Sequence, residues 1–561
     1  MQAVTGEAQE VQKKYEAGLN YKRRMRFLDK WPEYERFKAG DQWPTATEKT
    51  KALPRPVFNI IELIEAHKVS TVMAEQVKMV FSTDDPNNED ASDLFTRYAE
   101  TTWERLKQDD MNEEMLDDGS NRGTGLVHYY WDAEKNEMCG ELIDPMNFFP
   151  GNPQCRHVQK QPYNIVSSRE ELKSVKEYAG RNGVSGPMIA MIKPDKDTKD
   201  EGYDGAQTEL QDAEKVTVLT YYWKKGKTIW FKKVCSGIVI KKDTDTMMKL
   251  YPIAAMQWKR RKRSFFGVGD TEGLIPNQKS INFLMAMQVL SVQLTGWPKL
   301  VYKAQAIDPA LVLNVPGEMI KDNSPPGQKG VEYLTPGSTT GQAQALVDSF
   351  IDYTRQMTGA NDAATGEAPS ADMNASAIMM LQQAAGVPIE SIKRRFYQFI
   401  EDIGRIWEEF WKVKYNVTRR IMVKDDDGNT QPANFNGSLY KDIDMNLKID
   451  VGPSSKYSES LMMASLDKML EAQFITFDQY LKYAPKNVVP FKERLLKDLE
   501  AQAAQQVPPV DPMQEAEMQA QMQEKQEAQK FQQTAALKEM DNNTKVQIAQ
   551  INAQAKRGVG T

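Results

Sequence analysis

Cysteine and histidine are almost missing from this chain: three of each in 561 residues. Cys139, Cys155 and Cys235 are too few and too scattered for a disulfide framework, and such usage fits a reducing compartment. A zinc site pairs short-spaced ligand couples. Cys155-x-His157 with Cys139 offers a single couple, so no metal site is expected. His67 falls in an amphipathic helical stretch and His128 between Val127 and Tyr129 of a strand, positions that suit packing or surface histidines better than bases. Positive charge is also short, with 72 Lys and Arg against 78 Asp and Glu, a formal net charge of −6. Proteins that grip nucleic acid by its phosphates are usually basic. This one therefore either holds no nucleic acid tightly or meets it through a few local charges. Long apolar runs are lacking as well. The most apolar stretch, Ile281 to Leu294, is interrupted by Asn282, Gln288, Ser291 and Gln293, and it is shorter than the roughly 20 residues of a membrane span. Neither a membrane segment nor, from "MQAVTGEAQE", a signal peptide is expected.

Nucleotide and calcium motifs fail on spacing. The glycines of "GVGDTEG" stand at 267, 269 and 273, so G-x-G-x-x-G is broken by Glu272, and Lys279 lies beyond the turn where a P-loop needs its lysine. The turn reads as a helix start. Asp195 to Asp200 begins like a calcium loop but has Lys199 at the fifth position and Asp200 where glycine is required. No catalytic, metal or cofactor-binding residue stands out. An enzyme would have to be a metal-dependent one built from scattered carboxylates.

What is present is a long alternation of helical and extended patterns. Charged residues at 27% and hydrophobic ones at 40% suffice for a core, and the length suggests about three or four domains. Up to about residue 125 the chain reads as helical. A basic amphipathic helix is expected to stop near Pro32, and another to start at Asn59 as N-cap, with Ile60, Ile61, Ile64 and Val72 on one face. Pro54 and Pro56 hold Arg55 in extended chain. From Gly125 to Tyr251 the period changes to two in "GLVHYYWD", "KVTVLTYYWKKGKTIWFKKV" and "GIVIKKD", with a hairpin turn at Lys225-Gly226-Lys227. The polar, acidic insert at 193–214 reads as an exposed loop. An apolar helix follows, then short strands punctuated by Pro325-Pro326-Gly327, a second helix, and a loop of small residues, "TGANDAATGEAPSADMNAS". The clearest stripe is Ile389, Ile392, Phe396, Phe399, Ile403, Ile406 and Phe410, a helix that Pro388 should kink or start. Asp427-Gly428 should turn a hairpin, Ser458 to Leu499 should be helical, and a Gln-rich helical tail should follow Pro508-Pro509. The basic run "WKRRKR" (258–263) is either a solvated segment or a contact to phosphates or to an acidic neighbour.

The order of these parts, and four stretches within it, resemble a known family. "GDQWP" (40–44) followed by "RPVFNIIE" (55–62), then "IDPMNFFPGNP" (143–153), "FFGVGDTEGLIPNQKSINFLM" (265–285) and "TGEAPSADMNASAIMMLQQ" (365–383) are similar to segments of the portal proteins of short-tailed, podovirus-type phages. The likeness spans about residues 20 to 500. It departs at Asn152-Pro153, where the family often has Asp-Pro.

The resemblance implies an α+β, predominantly helical portal fold. Its parts would be a wing at 1–265, a first stem helix at 266–296, a clip at 297–340, a second stem helix at 341–358 and a tunnel loop at 359–374. A long wing helix and wing strands would fill 375–456, a crown 457–507 and a helical tail or barrel 508–561. It further implies a homo-dodecamer at the capsid portal vertex of the virion, assembled in the host cytoplasm, with double-stranded DNA passing through its channel. The implied partners are the terminase large subunit, head-to-tail adaptor proteins, and major capsid and scaffolding proteins, with no cofactor and no enzymatic activity. Twelve copies of a −6 chain carry −72, so DNA contact would come from local rings of cations. Lys299, Lys303, Lys321 and Lys329 in the clip and Lys279 in the stem are the candidates, with Gly359, Asn361, Asp362 and Gly366 in the tunnel loop. Another head-to-tail connector or scaffold ring is the alternative within the same class.

Overall fold

A computed structural model describes residues 6–48, 50–51, 53–75, 77–195, 214–296, 299–306, 308, 321, 323–334, 340–358, 375–424, 430–451, 456–484 and 495. The chain divides into two compact units, Met1–Ser455 and Lys456–Thr561.

The first unit opens with helices α1 (Gly6–Arg24), α2 (Phe27–Lys38) and α3 (Ile60–Met73), then β1 (Val77–Ser82), α4 (Glu89–Leu106) and α5 (Gln108–Arg122). The break expected at Pro32 falls earlier. Arg26 takes the left-handed conformation (φ 59°) and parts α1 from α2, while Pro32 lies inside α2. Proline removes one ladder donor, which a helix tied down by packing tolerates; here Phe27, Trp31, Tyr34 and Phe37 of α2 are all buried. Asn59 does cap α3, accepting from the Glu62 amide.

Strands dominate next: β2 (Thr124–Asp132), β3 (Glu137–Leu142), β4 (Phe148–Pro150), β5 (Tyr163–Glu171), β6 (Lys215–Lys225), β7 (Thr228–Cys235), β8 (Ile238–Asp245) and β9 (Ile253–Gln257). They form an antiparallel five-stranded sheet in the order β4-β5-β6-β7-β8 and a three-stranded sheet β3-β2-β9. Lys225 pairs with Thr228, so Gly226 (φ +66°) and Lys227 make the hairpin. Alternation along β6 gives the larger sheet two apolar faces. Leu219 and Tyr221 meet Ala8, Val11, Tyr15 and Leu19 of α1. Val216 and Val218 meet two helices that the β-rich reading missed, α6 (Leu172–Arg181) and α7 (Gly186–Ala190).

The remaining elements of this unit are α8 (Thr271–Gly296), β10 (Lys299–Tyr302), β11 (Val331–Leu334), α9 (Thr340–Thr358), α10 (Ala375–Lys414), β12 (Arg419–Lys424), β13 (Thr430–Phe435) and β14 (Asn446–Val451). Pro388 does not start α10; the helix runs through it. All seven residues of the apolar stripe are buried, together with Trp407, Trp411 and Tyr415. At about 1.5–3 kcal/mol each, the seven alone supply roughly 10–20 kcal/mol of gross burial. They pack against α4, α5, β1, β2 and β14. Strand β1 pairs with β14 from Val77↔Val451 to Ser82↔Asn446, and β12 with β13, as the expected hairpin requires.

In the second unit, α11 (Lys456–Glu471) and α12 (Phe477–Tyr483) are parted at 472–476, and Thr476 and Gln479 form a capping box. The long helix expected from 458 is therefore interrupted. Its continuation, the Gln-rich tail, the turn Asp427-Gly428 and most of the acidic insert lie outside the described residues. Among the described residues half are helical and 22% are strand, which is compatible with the α+β class with helix predominating.

Candidate functional site

Among the described residues, the helix pair α8/α9, with the small ribbon between its ends, carries a group of exposed large apolar side chains. Its root is built from the glycine turn. Phe265 and Phe266 anchor the turn, with Phe266 set edge-on to Phe27 and Trp31 at 5.4 and 5.3 Å. Lys259 and Val268 then form an isolated antiparallel bridge. The next glycine answers to close backbone approach. A Cβ on Gly269 would lie 2.1 Å from the Asn121 carbonyl oxygen and 2.5 Å from that of Ser120. The glycines of "GVG" thus seat the chain against the end of α5, a packing role and not a phosphate cradle.

Asp270, next in line, is 3% exposed. Its carboxylate accepts from Lys68 Nζ at 2.9 Å and from Trp258 Nε1 at 2.8 Å, and it pairs with Lys259. Burial pushes its carboxyl up, but the two lysines outweigh burial and hold it below the usual carboxylate range. Beside it Thr271, the first residue of α8, donates its hydroxyl to the buried Glu65. Lys38 Nζ stands 3.7 Å from the other Glu65 oxygen and pairs with Asp117. Burial pushes Glu65 up to about 7 in spite of Thr271 and Lys38. The root of α8 is therefore a buried polar knot joining α2, α3, α5, the end of β9 and α8.

Polar residues that interrupt the apolar run of α8 tie it down. Gln278 Nε2 donates to the Phe58 carbonyl at 2.6 Å, and Gln278 Oε1 accepts from the Ile60 amide at 3.0 Å. Asn282 Nδ2 donates to Gln42 at 2.6 Å. Asn277 to Thr354 and Gln288 to Gln344, both 3.0 Å, pin α8 antiparallel to α9. Ile281 and Val347 are buried in this seam, with Leu284, Met285, Phe350 and Ile351 packed beside them. Beyond the seam the pair stays apolar and uncovered: Phe283, Val292 and Tyr353 are 54%, 59% and 64% exposed, and Met287, Leu294 and Leu346 are exposed too.

The ribbon joining the pair runs Lys299↔Leu334 to Tyr302↔Val331. It brings some of the expected lysines together and not others. Lys303 continues the ribbon, its amide donating to the Gly330 carbonyl at 2.9 Å and its Nζ to Gln328 at 3.0 Å, so Lys329 stands close to it. Lys321 and Lys329 are exposed. Lys299 starts β10, and its side chain lies outside the described residues. Lys279 is held at the root of α8, with Nζ 3.0 Å from Glu33 and over the Phe37 ring at 4.9 Å. Gly359, Asn361, Asp362 and Gly366 lie outside the described residues.

The sequence matches a family model. The phage SU10 portal protein family covers residues 133–533 of the sequence. The chain belongs to that family. A portal protein is a structural component of a phage virion rather than a catalyst. No curated protein is recognisably similar to the chain. Among the described residues, no group of three His, Cys, Asp or Glu could hold a metal ion, and no helix is long and apolar enough to cross a membrane. His128 is spent on packing, its Nδ1 2.8 Å from Glu141 and its Nε2 2.8 Å from the Tyr222 hydroxyl.

Sequence reasoning missed the knot of Glu65, Lys68 and Asp270. The signal was there. Glu65 and Lys68 fall on the same helical stripe as Ile61, Ile64 and Val72, and charges on a core stripe need buried partners.

Proposed function

We propose that this portal protein forms a ring of twelve copies at one capsid vertex, with a central channel for double-stranded DNA during packaging and ejection. The observation that carries the reading is the stem. Two antiparallel helices leave the core through a rigid root and keep apolar side chains uncovered around most of α8. An exposed apolar patch of this kind marks a subunit interface. In a ring, each stem is covered by its neighbours.

In this reading 1–265 with 375–456 is the wing, 266–296 and 341–358 the stem, 297–340 the clip, 359–374 the tunnel loop, 457–507 the crown, and 508–561 a helical tail or barrel. The clip receives the terminase large subunit, whose motor supplies the force, and later the head-to-tail adaptors. Major capsid and scaffolding proteins surround the wing. Assembly takes place in the host cytoplasm. Lys279, Lys299, Lys303, Lys321 and Lys329 offer DNA sparse contacts. Phosphate contacts are strong and salt-dependent when many cations line up, so few cations mean low friction for a sliding duplex. Gly359, Asn361, Asp362 and Gly366 belong to the loop that faces DNA in the channel.

Electron microscopy of the purified protein tests the ring. Twelvefold particles near twelve times 63.8 kDa, about 766 kDa, are expected. A compact monomer with magnesium-dependent nuclease or NTPase activity overturns the reading. Deleting 361–369 should impair DNA packaging or retention without affecting ring assembly, and normal genome filling by that mutant removes the loop's role.

A further inference from the structure

The run "WKRRKR" divides by neighbour. Lys259 pairs with Asp270, and Arg261 stands 3.6 Å from Glu272, so the stem root absorbs these two. Arg260 turns the other way. Its Nη2 reaches Gln398 Oε1 on α10 at 3.1 Å. On the same helix Arg395 donates Nη1 to the Trp258 carbonyl and Nη2 to Ser391 at 3.3 Å. The loop at 153–160 joins them: the Phe265 amide donates to the Pro153 carbonyl at 2.8 Å, and Arg156 Nε donates to His157 Nε2 at 2.9 Å. Arg156, Lys160 and Arg260 are exposed. Among the described residues, none of Arg156, Lys160, Arg260 and Arg395 makes an ion pair. They crowd one another. Partial burial and Arg156 pull Arg260 below its ordinary value, burial and Arg260 do the same to Arg395, and His157 is lowered by burial, Arg156, Lys160 and Arg260. A chain with an excess of acid thus keeps a knot of cations with no carboxylate among them.

We propose that Arg156, Lys160, Arg260 and Arg395 form a DNA-docking surface on the body of the protein, additional to the stem and clip lysines, that takes the phosphate backbone of duplex DNA. This rests on the portal reading, in which DNA moves against the protein. Planar guanidinium forks match phosphate oxygens bidentately. Two acids that follow the basic run in sequence, Asp270 and Glu272, are already engaged by Lys68, Lys259 and Lys30. With three elements contributing and no shaped apolar groove required, the surface suits a sequence-independent polyanion. An acidic protein segment is the competing occupant.

The test uses the full chain and a labelled 20-base-pair duplex of mixed sequence, with anisotropy read from 50 to 200 mM salt. Arg156→Gln/Lys160→Gln/Arg260→Gln removes three cations and spares Arg395, whose bond to Trp258 is structural. Each phosphate contact contributes about 0.9 to the slope of log affinity against log salt. The triple variant should lose about 2.7 of slope, equal to about 40-fold over that salt range. Arg156→Lys/Arg260→Lys should keep the slope with weaker binding. A triple variant with wild-type slope overturns the surface, as does a wild type that ignores duplex or that prefers poly-glutamate through these residues. Imaging the same samples separates the two readings. Wild-type rings with an unaffected slope sink the docking surface alone, whereas a slope lost without any rings supports it and counts against the proposed ring.

Discussion

Replacing Asp270 with Asn isolates the charge at the stem root. Asparagine keeps the shape of the side chain and leaves an oxygen for the Trp258 indole, which lies 2.8 Å away. What it removes is the negative charge facing Lys68, itself only 4% exposed. Stripping the partner from a buried ion costs about 3–5 kcal/mol. Lys259 loses the same partner, but its side chain is 53% exposed, so its share is at most about 1 kcal/mol. The folding equilibrium of the Met1–Ser455 unit should therefore fall by about two to four powers of ten. Urea unfolding followed by tryptophan fluorescence reads this, since Trp258 sits on the carboxylate. Replacing Lys68 with Met alongside Asp270→Leu should recover most of the loss, because an apolar pair of similar bulk often matches a buried ion pair. The sign with pH is fixed too. The folded Asp270 sits below its ordinary value, so its contribution is present above about pH 4 and fades as pH falls through the folded value. An Asp270→Asn protein within 1 kcal/mol of wild type refutes the idea that this buried charge holds the stem root.

Glu65 carries the opposite sign. It rises from 4.5 to about 7 on folding, so the native state keeps a proton that the unfolded chain releases, and stability falls by about 3 kcal/mol between pH 4.5 and 7; Glu65→Gln should flatten that fall, and urea midpoints at pH 5 and 8 that differ as in wild type would show otherwise. Gly269→Ala forces a methyl against two backbone carbonyls, which should cost about 1–3 kcal/mol, measured as a lowered melting temperature. Phe283→Ser with Val292→Ser should leave a folded chain, seen by circular dichroism, while abolishing rings in the microscope; intact rings would remove the stem from the interface. Lys303→Gln, Lys321→Gln and Lys329→Gln together should weaken salt-dependent DNA retention without changing ring symmetry.

The sequence made the periodic elements legible and left the polar knots hidden. The stripe Ile389 to Phe410 needed only helical spacing, and the Gly226-Lys227 hairpin only turn chemistry. Pro32 misled as a helix stop, and Pro388 as a helix start, because a missing donor is a local penalty, and the aromatic residues on α2 and α10 outweigh it through packing. α6 and α7 escaped because they are short and their partners, Val216 and Cys235, arrive about 40 and 60 residues after Val175. The lysines were chosen by position in the clip, whereas Lys279 is drawn toward Glu33 by a helix 246 residues earlier, a pairing no local window contains. "WKRRKR" left a choice between a solvated segment and a contact to phosphate or acid, and the run splits: two of its residues meet acids and another, Arg260, does not.

Strand β1 and strand β14 are the two halves of one closure, and Ser82 meets Asn446 across 364 residues. On a ribosome adding about 5–20 residues per second, β1 waits roughly 20 to 70 s for its mate. The apolar helix pair α8/α9 emerges during that interval, ahead of the strand that pairs with β1. Non-local pairings of this length are slow to form. The body of one subunit is thus completed only after its most adhesive part has been exposed, which makes the order of folding and association, as well as the final contacts, a determinant of whether rings or aggregates result.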